Sequence, residues 1–181
     1  GYDVLDLEGK ANHRGSILGK VGLDKEISQK QFEADIFESL RSAKTEKVFI
    51  EAESRRIGKL FVPEYILEKM KTGIHILVES SIDVRGETIL KEYIQNENSK
   101  DEIIEALERF RKFISNDAVD VLIKEVEDNK YKEVAIKLME LYYDPMYYHN
   151  QKNYDYSLIV NSDNISEACA RLEEYYDRLE L

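Results

Sequence analysis

The chain has 181 residues, 43% of them hydrophobic and 35% charged, enough to bury a core without disulfides or a structural metal. Its formal charge of −11 argues against a protein that coats nucleic acid along its whole length, and its single cysteine, Cys169, excludes an intramolecular disulfide. No apolar run approaches the roughly 18–20 residues that cross a bilayer, and no basic-then-apolar leader pattern is seen, so a cytoplasmic protein with no membrane partner is expected.

Tyr2 to Gly9 reads as a short strand ended by glycine, followed by a loop punctuated by Gly15, Gly19 and Gly22. Ser28 with Gln31 forms a capping box that starts a helix, whose apolar face is Phe32, Ile36, Phe37 and Leu40. Lys47 to Glu51 reads as a second strand and Ser54 to Val62 as loop, and Pro63 opens a helix through Met70. Ile74 to Glu79 is a third strand. Helical periodicity then takes over: around Ile89 to Ile94, along Ile103 to Ile114, along Val119 to Val126 and along Tyr131 to Met139. Asp144-Pro145 is expected to turn the chain, with a last strand over Tyr156 to Val160. A terminal helix carries the stripe Ile165, Ala168, Cys169, Leu172, Tyr176 and Leu179, which is expected to put Cys169 in the core. Strands alternating with helices predict an α/β fold with a parallel sheet and crossover helices. The division expected is an α/β part over 1–82, a helical insertion over 83–150, and a final strand and helix over 151–181 returning to the sheet.

Ligands of open α/β sheets bind beyond the carboxyl ends of the strands. The early strands end in Asp6 and Glu8, two apart and thus on one face of a strand, in Glu51 and Glu53, and in Glu79. Acids so placed can hold magnesium or orient a water, or can simply be solvated; the metal is left open. Residues 1–75 hold 13 basic and 13 acidic side chains whereas 76–181 hold 13 and 24, so a phosphate-binding surface is expected chiefly in the first part. His13-Arg14-Gly15-Ser16 combines an arginine fork, a hydroxyl and a glycine-permitted turn, which an oxyanion site needs, although a plain surface turn would use the same residues. Arg55, Arg56 and Arg85 could add phosphate contacts. The six tyrosines between Tyr142 and Tyr156 are expected to pack rather than to stack on bases. The phosphate loop GxxxxGK[ST], GxGxxG and GxSxG are all absent from the sequence.

Asp6-Leu7-Glu8-Gly9-Lys10-Ala11-Asn12-His13-Arg14-Gly15-Ser16 resembles the D-L-E-G-x-A-x-H-R-G-S signature of the tRNA 2-selenouridine synthases. Further anchors follow in order. Gln31-Phe32-Glu33 is similar to the family's Q-x-F-E, Glu51 to Gly58 to its E-D-E-S-x-x-I-G, Val62-Pro63 to a V-P, and Tyr142 to Tyr147 to its Y-Y-D-P-M-Y. Ala52 stands where that family commonly has aspartate, so no role carries over to it.

The resemblance implies a P-loop-type domain entered after its Walker A helix, and with it an abrupt start on a strand, as in a C-terminal part of a longer enzyme. Such enzymes carry a rhodanese-like domain with the catalytic cysteine, to which Cys169 does not correspond. They replace sulfur by selenium at the wobble 2-thiouridine of tRNA from selenophosphate, through a geranylated intermediate made from geranyl diphosphate. The chain is then expected to hold no nucleophile and to be inactive alone. His13, Arg14, Ser16, Arg55, Arg56 and Arg85 would contact tRNA or diphosphate, with Asp6, Glu8, Glu51 and Glu53 lining the crevice. Its partners would be tRNA, the rhodanese and Walker A portion and, if exposed helix stripes pair, a second copy in a homodimer. The rival expectation is a non-catalytic tRNA-binding or protein-assembly module.

Overall fold

A computed structural model describes residues 1–23, 25–94, 96 and 98–179, apart from the Asn150 side chain. In chain order the elements are β1 (Val4–Leu5), α1 (Leu7–Ala11), α2 (Gln29–Ser42), β2 (Phe49–Ile50), β3 (Arg56–Ile57), β4 (Leu60–Phe61), α3 (Glu64–Thr72) and β5 (His75–Glu79). They continue with α4 (Ile82–Tyr93), α5 (Ser99–Glu108), α6 (Asn116–Glu127), α7 (Tyr131–Leu138), α8 (Asp144–Gln151), β6 (Tyr156–Asn161) and α9 (Ile165–Arg178). The fold is mixed α/β with short parallel sheets and many helices. The chain divides into two compact units: residues 1–73 with 96–110, and residues 74–95 with 111–181.

In the first unit β1 pairs in parallel with β2, Val4 opposite Phe49 and Leu5 opposite Ile50, and α2 makes the crossover. The capping box forms as read: the Ser28 hydroxyl accepts from the Gln31 N–H at 3.2 Å. Phe32 and Ile36 of α2 are fully buried with Leu5, Leu7, Ala11, Ile57, Leu60, Val62 and Ile66. Phe37, expected on this face, is 60% exposed. The expected strand from Tyr2 to Gly9 stops at Leu5, because Asp6 caps a helix instead of continuing the ladder. Its carboxylate accepts from the Gly9 N–H at 2.6 Å. Asp6 and Glu8 therefore do not share a strand face; one is the cap and the other lies in the first turn of α1. The expected loop 54–62 contains a hairpin, β3 antiparallel to β4. Gly58, at φ +57°, sits first in its two-residue turn, the place where such turns need glycine.

In the second unit β5 pairs in parallel with β6 from His75–Tyr156 to Glu79–Asn161, with a register shift between His75 and Ile76. Helix α4 packs on α7, and Gly86 lets them close: a Cβ there would lie 3.3 Å from the Ile136 side chain. Asp144-Pro145 does not break the helix. A π-helical turn over Met139–Tyr143 joins α7 to α8, with the Asp144 N–H donating to the Met139 carbonyl. The proline follows in the first turn of α8, where its missing N–H is tolerated. The stripe read on α9 is only partly buried: Ala168 and Tyr176 are inside, but Ile165 is 72% exposed and Cys169 is exposed, not in the core.

Candidate functional site

Three segments of the first unit converge: α1 with its cap, the loop 13–22, and the stretch from Glu51 through the β3–β4 hairpin. The backbone N–H of Glu8 donates to Glu51 Oε1 at 3.1 Å, which ties the first turn of α1 to the chain leaving β2. The Glu8 and Glu53 carboxyl groups hydrogen-bond each other. Burial, then the Glu53 charge and that hydrogen bond, then Glu51 and Asp6, push Glu8 up to about 8. Burial also raises Glu53. Both carboxyls are half-buried, and the hydrogen bond between them favours keeping a proton on Glu8 at neutral pH. The Glu51 Oε2 atom is buried with no hydrogen-bond partner. Ala52, between Glu51 and Glu53, is exposed and brings no side-chain oxygen.

Gly15 covers the pair. Its φ is +63°, and a Cβ there would lie 2.5 Å from Glu8 Oε1 and 2.9 Å from Glu53 Oε1. Only a residue without a side chain can follow this path. Arg14 shapes the loop as much as it presents charge. Its N–H donates to the Gly19 carbonyl at 2.9 Å and its Nη1 to the Val21 carbonyl at 2.8 Å. From α5, Glu102 accepts from the Gly22 N–H at 2.6 Å, so a helix remote in sequence fastens the far end of the loop.

His13 is held by its neighbours. Its backbone N–H donates to the Glu8 carbonyl at 3.1 Å. Its Nδ1 atom is buried without a hydrogen-bond partner. Burial first, then the Lys20 and Arg14 charges, lower its pKa, so the ring is neutral at pH 7.

Arg55 and Arg56 are exposed on the hairpin. Arg55 makes a 3.6 Å ion pair with Glu64, while Arg56 donates to the Gly58 carbonyl at 3.0 Å and lies 5.4 Å from the centre of the Phe61 ring. Asp6, exposed at the helix cap, also lines an open groove with Lys10, Asn12, Lys25, Asp35 and Glu38. Arg85 belongs to the second unit. There its guanidinium meets Asp144 in two parallel bonds of 2.7 and 2.8 Å, so the aspartate of Tyr142 to Tyr147 is the partner of this arginine. Among the described residues no group of three or more His, Cys, Asp and Glu side chains has the arrangement of a metal site. No described helix is long and apolar enough to cross a membrane.

The structure brings Glu8, Glu51 and Glu53 together with the H-R-G-S loop, as the sequence suggests, and adds Glu102 and the Gly58 turn. The Gly58 turn had a signal, a glycine-led dipeptide between Arg56-Ile57 and Leu60-Phe61. Glu102 had none.

The family model described as the tRNA 2-selenouridine synthase AAA domain matches residues 2–178. An uncharacterized protein of Methanocaldococcus jannaschii is 28% identical over 183 aligned positions, which cover 96% of this chain and 81% of that one. A tRNA 2-selenouridine synthase of Sulfurovum is 27% identical over 203 positions, covering 96% of this chain and 55% of that protein. Another, of Chromohalobacter salexigens, is 41% identical over 90 positions, covering 50% and 24%. The chain spans about half the length of several of the synthases it matches. No solved structure matches it.

Proposed function

The chain belongs to the tRNA 2-selenouridine synthase AAA-domain family, and on that premise we propose that it supplies tRNA or diphosphate binding to a selenouridine-forming enzyme, and not the nucleophile. The observation that carries this reading is Gly15 lying over the Glu8–Glu53 pair, with Arg14 and Ser16 beside it. A phosphate approaching such a loop meets backbone turns and arginines. The raised Glu8 group, hydrogen-bonded to Glu53, lowers the negative charge beneath it. Arg55 and Arg56, exposed on the hairpin, are the residues we assign to phosphate contact along with Arg14 and Ser16. Glu51 and Asp6 are better explained as anchors, one for the Glu8 N–H and one for the Gly9 N–H.

The fold that goes with this reading is a P-loop-type parallel sheet, of which β1, α2 and β2 form one strand–helix–strand unit. In the whole enzyme, the exchange of sulfur for selenium through a geranylated intermediate would fall to rhodanese and phosphate-loop modules on the same or another polypeptide. We assign Cys169 no part in it: it lies on α9 in the second unit. The test is binding of tRNA bearing a wobble 2-thiouridine, in competition with inorganic diphosphate. Replacing both Arg55 and Arg56 by alanine should weaken tRNA binding about tenfold, on the scale of two charge-assisted contacts. Unchanged affinity for both ligands in the double variant would remove the assignment.

A further inference from the structure

The imidazole of His13 lies in a slot between two glycines from different segments. A Cβ on Gly19 would come 2.6 Å from His13 Cε1, and a Cβ on Gly58 would come 2.7 Å from His13 Cδ2. Gly19 belongs to the same loop as His13, whereas Gly58 is the turn of the β3–β4 hairpin. All three of the nearest atoms that a Gly58 Cβ would meet belong to His13. We propose that His13 is a positioning residue, a flat strut that locks the loop carrying Arg14, Gly15 and Ser16 to the hairpin carrying Arg56, so that both present their groups as one rigid surface. A smaller side chain at position 13 would leave the space between the two glycines empty. A neutral ring suits it, since a charged one would be held beside Arg14 and Lys20. The strut goes beyond the binding reading above. What it does for a bound phosphate rests on that reading, but its coupling to Gly58 is measured without any ligand, so the two can fail separately.

The experiment is a thermal double-mutant cycle on the whole chain with Gly58→Ala, His13→Ala and the two combined. The left-handed backbone at residue 58 penalises alanine in either background, so that cost cancels. The drop in Tm caused by Gly58→Ala is expected to be at least about 5 °C larger in the parent chain than in the His13→Ala background, where the ring is gone. Equal drops in the two backgrounds would overturn the proposal. Should Gly58→Ala not fold, amide exchange in His13→Ala and His13→Phe decides. The flat ring of His13→Phe should keep residues 14–22 and 56–61 protected. His13→Ala should speed exchange there about tenfold while α2 stays unchanged. Equal exchange in both variants, or a matching rise in α2, would show that His13 is not a strut between these segments.

Discussion

Gly15 stands so close over Glu8 that a single added carbon would sit 2.5 Å from the Glu8 Oε1 atom, inside van der Waals contact. Gly15→Ala brings both that overlap and the left-handed backbone penalty, so it should destabilise the chain by roughly 2–4 kcal/mol. Urea denaturation checks this. Glu8→Ala removes one of the colliding atoms and should recover part of the loss when combined with Gly15→Ala.

Stability should depend on pH through Glu8. Its folded pKa is raised from 4.5 to about 8, so the native state binds more protons than the unfolded chain across that interval. The stabilisation from neutral Glu8 is therefore complete below about pH 4.5 and is lost as pH rises through about 8. Glu8→Gln, which keeps a neutral hydrogen-bonding group, should flatten this decline and be more stable than the parent chain above pH 8. Urea midpoints between pH 5 and 9 measure it, and parallel curves for the two proteins would contradict the proton kept on Glu8.

His13 acts with the opposite sense of pH. Its pKa is lowered from 6.5 in the folded state, so the unfolded chain takes up the extra proton first. Stability should fall as pH drops below about 6.5, and His13→Phe should remove that fall. Urea midpoints from pH 7 to 4.5 follow the difference between the two chains.

In the second unit, Asp144→Ala strands the Arg85 guanidinium and should cost about 2 kcal/mol, the scale of a charge-assisted pair that is partly out of water. Arg85→Lys keeps the charge but loses the two-pronged geometry, and should cost about half as much. Thermal melts of the three proteins test the order.

Much of the helical content was legible in the sequence because it rests on local signals. The Ser28 cap, the Val119–Leu122–Val126 face and the strand Tyr156–Asn161 need only a few neighbouring residues to be read. The V-L-D-L-E run misled because two residues of strand and a capped helix share one alternation, and only Asp6 bonding to Gly9 separates them. Pro145 misled because a π turn upstream lets a helix carry a proline near a new start. On α9, periodicity shows a stripe but not what covers it, and Cys169, expected in the core, is exposed. For the site, the residue types of H-R-G-S and E-x-E were visible. Their meeting was not: Glu8 and Glu51 are 43 positions apart, and the hydrogen bond between the Glu8 and Glu53 carboxyls exists only once the fold brings them together.

The proposed phosphate-binding surface is built by the loop 13–22 and the hairpin. It is tested most directly by tRNA binding at 50 and 200 mM salt, using the whole chain and a tRNA with wobble 2-thiouridine. Binding should weaken at least about tenfold between the two salts, on the scale of two released counterions, with a shallower dependence in the Arg55→Ala, Arg56→Ala variant. Binding that is absent at 50 mM salt, or that has the same slope in both proteins, would contradict it.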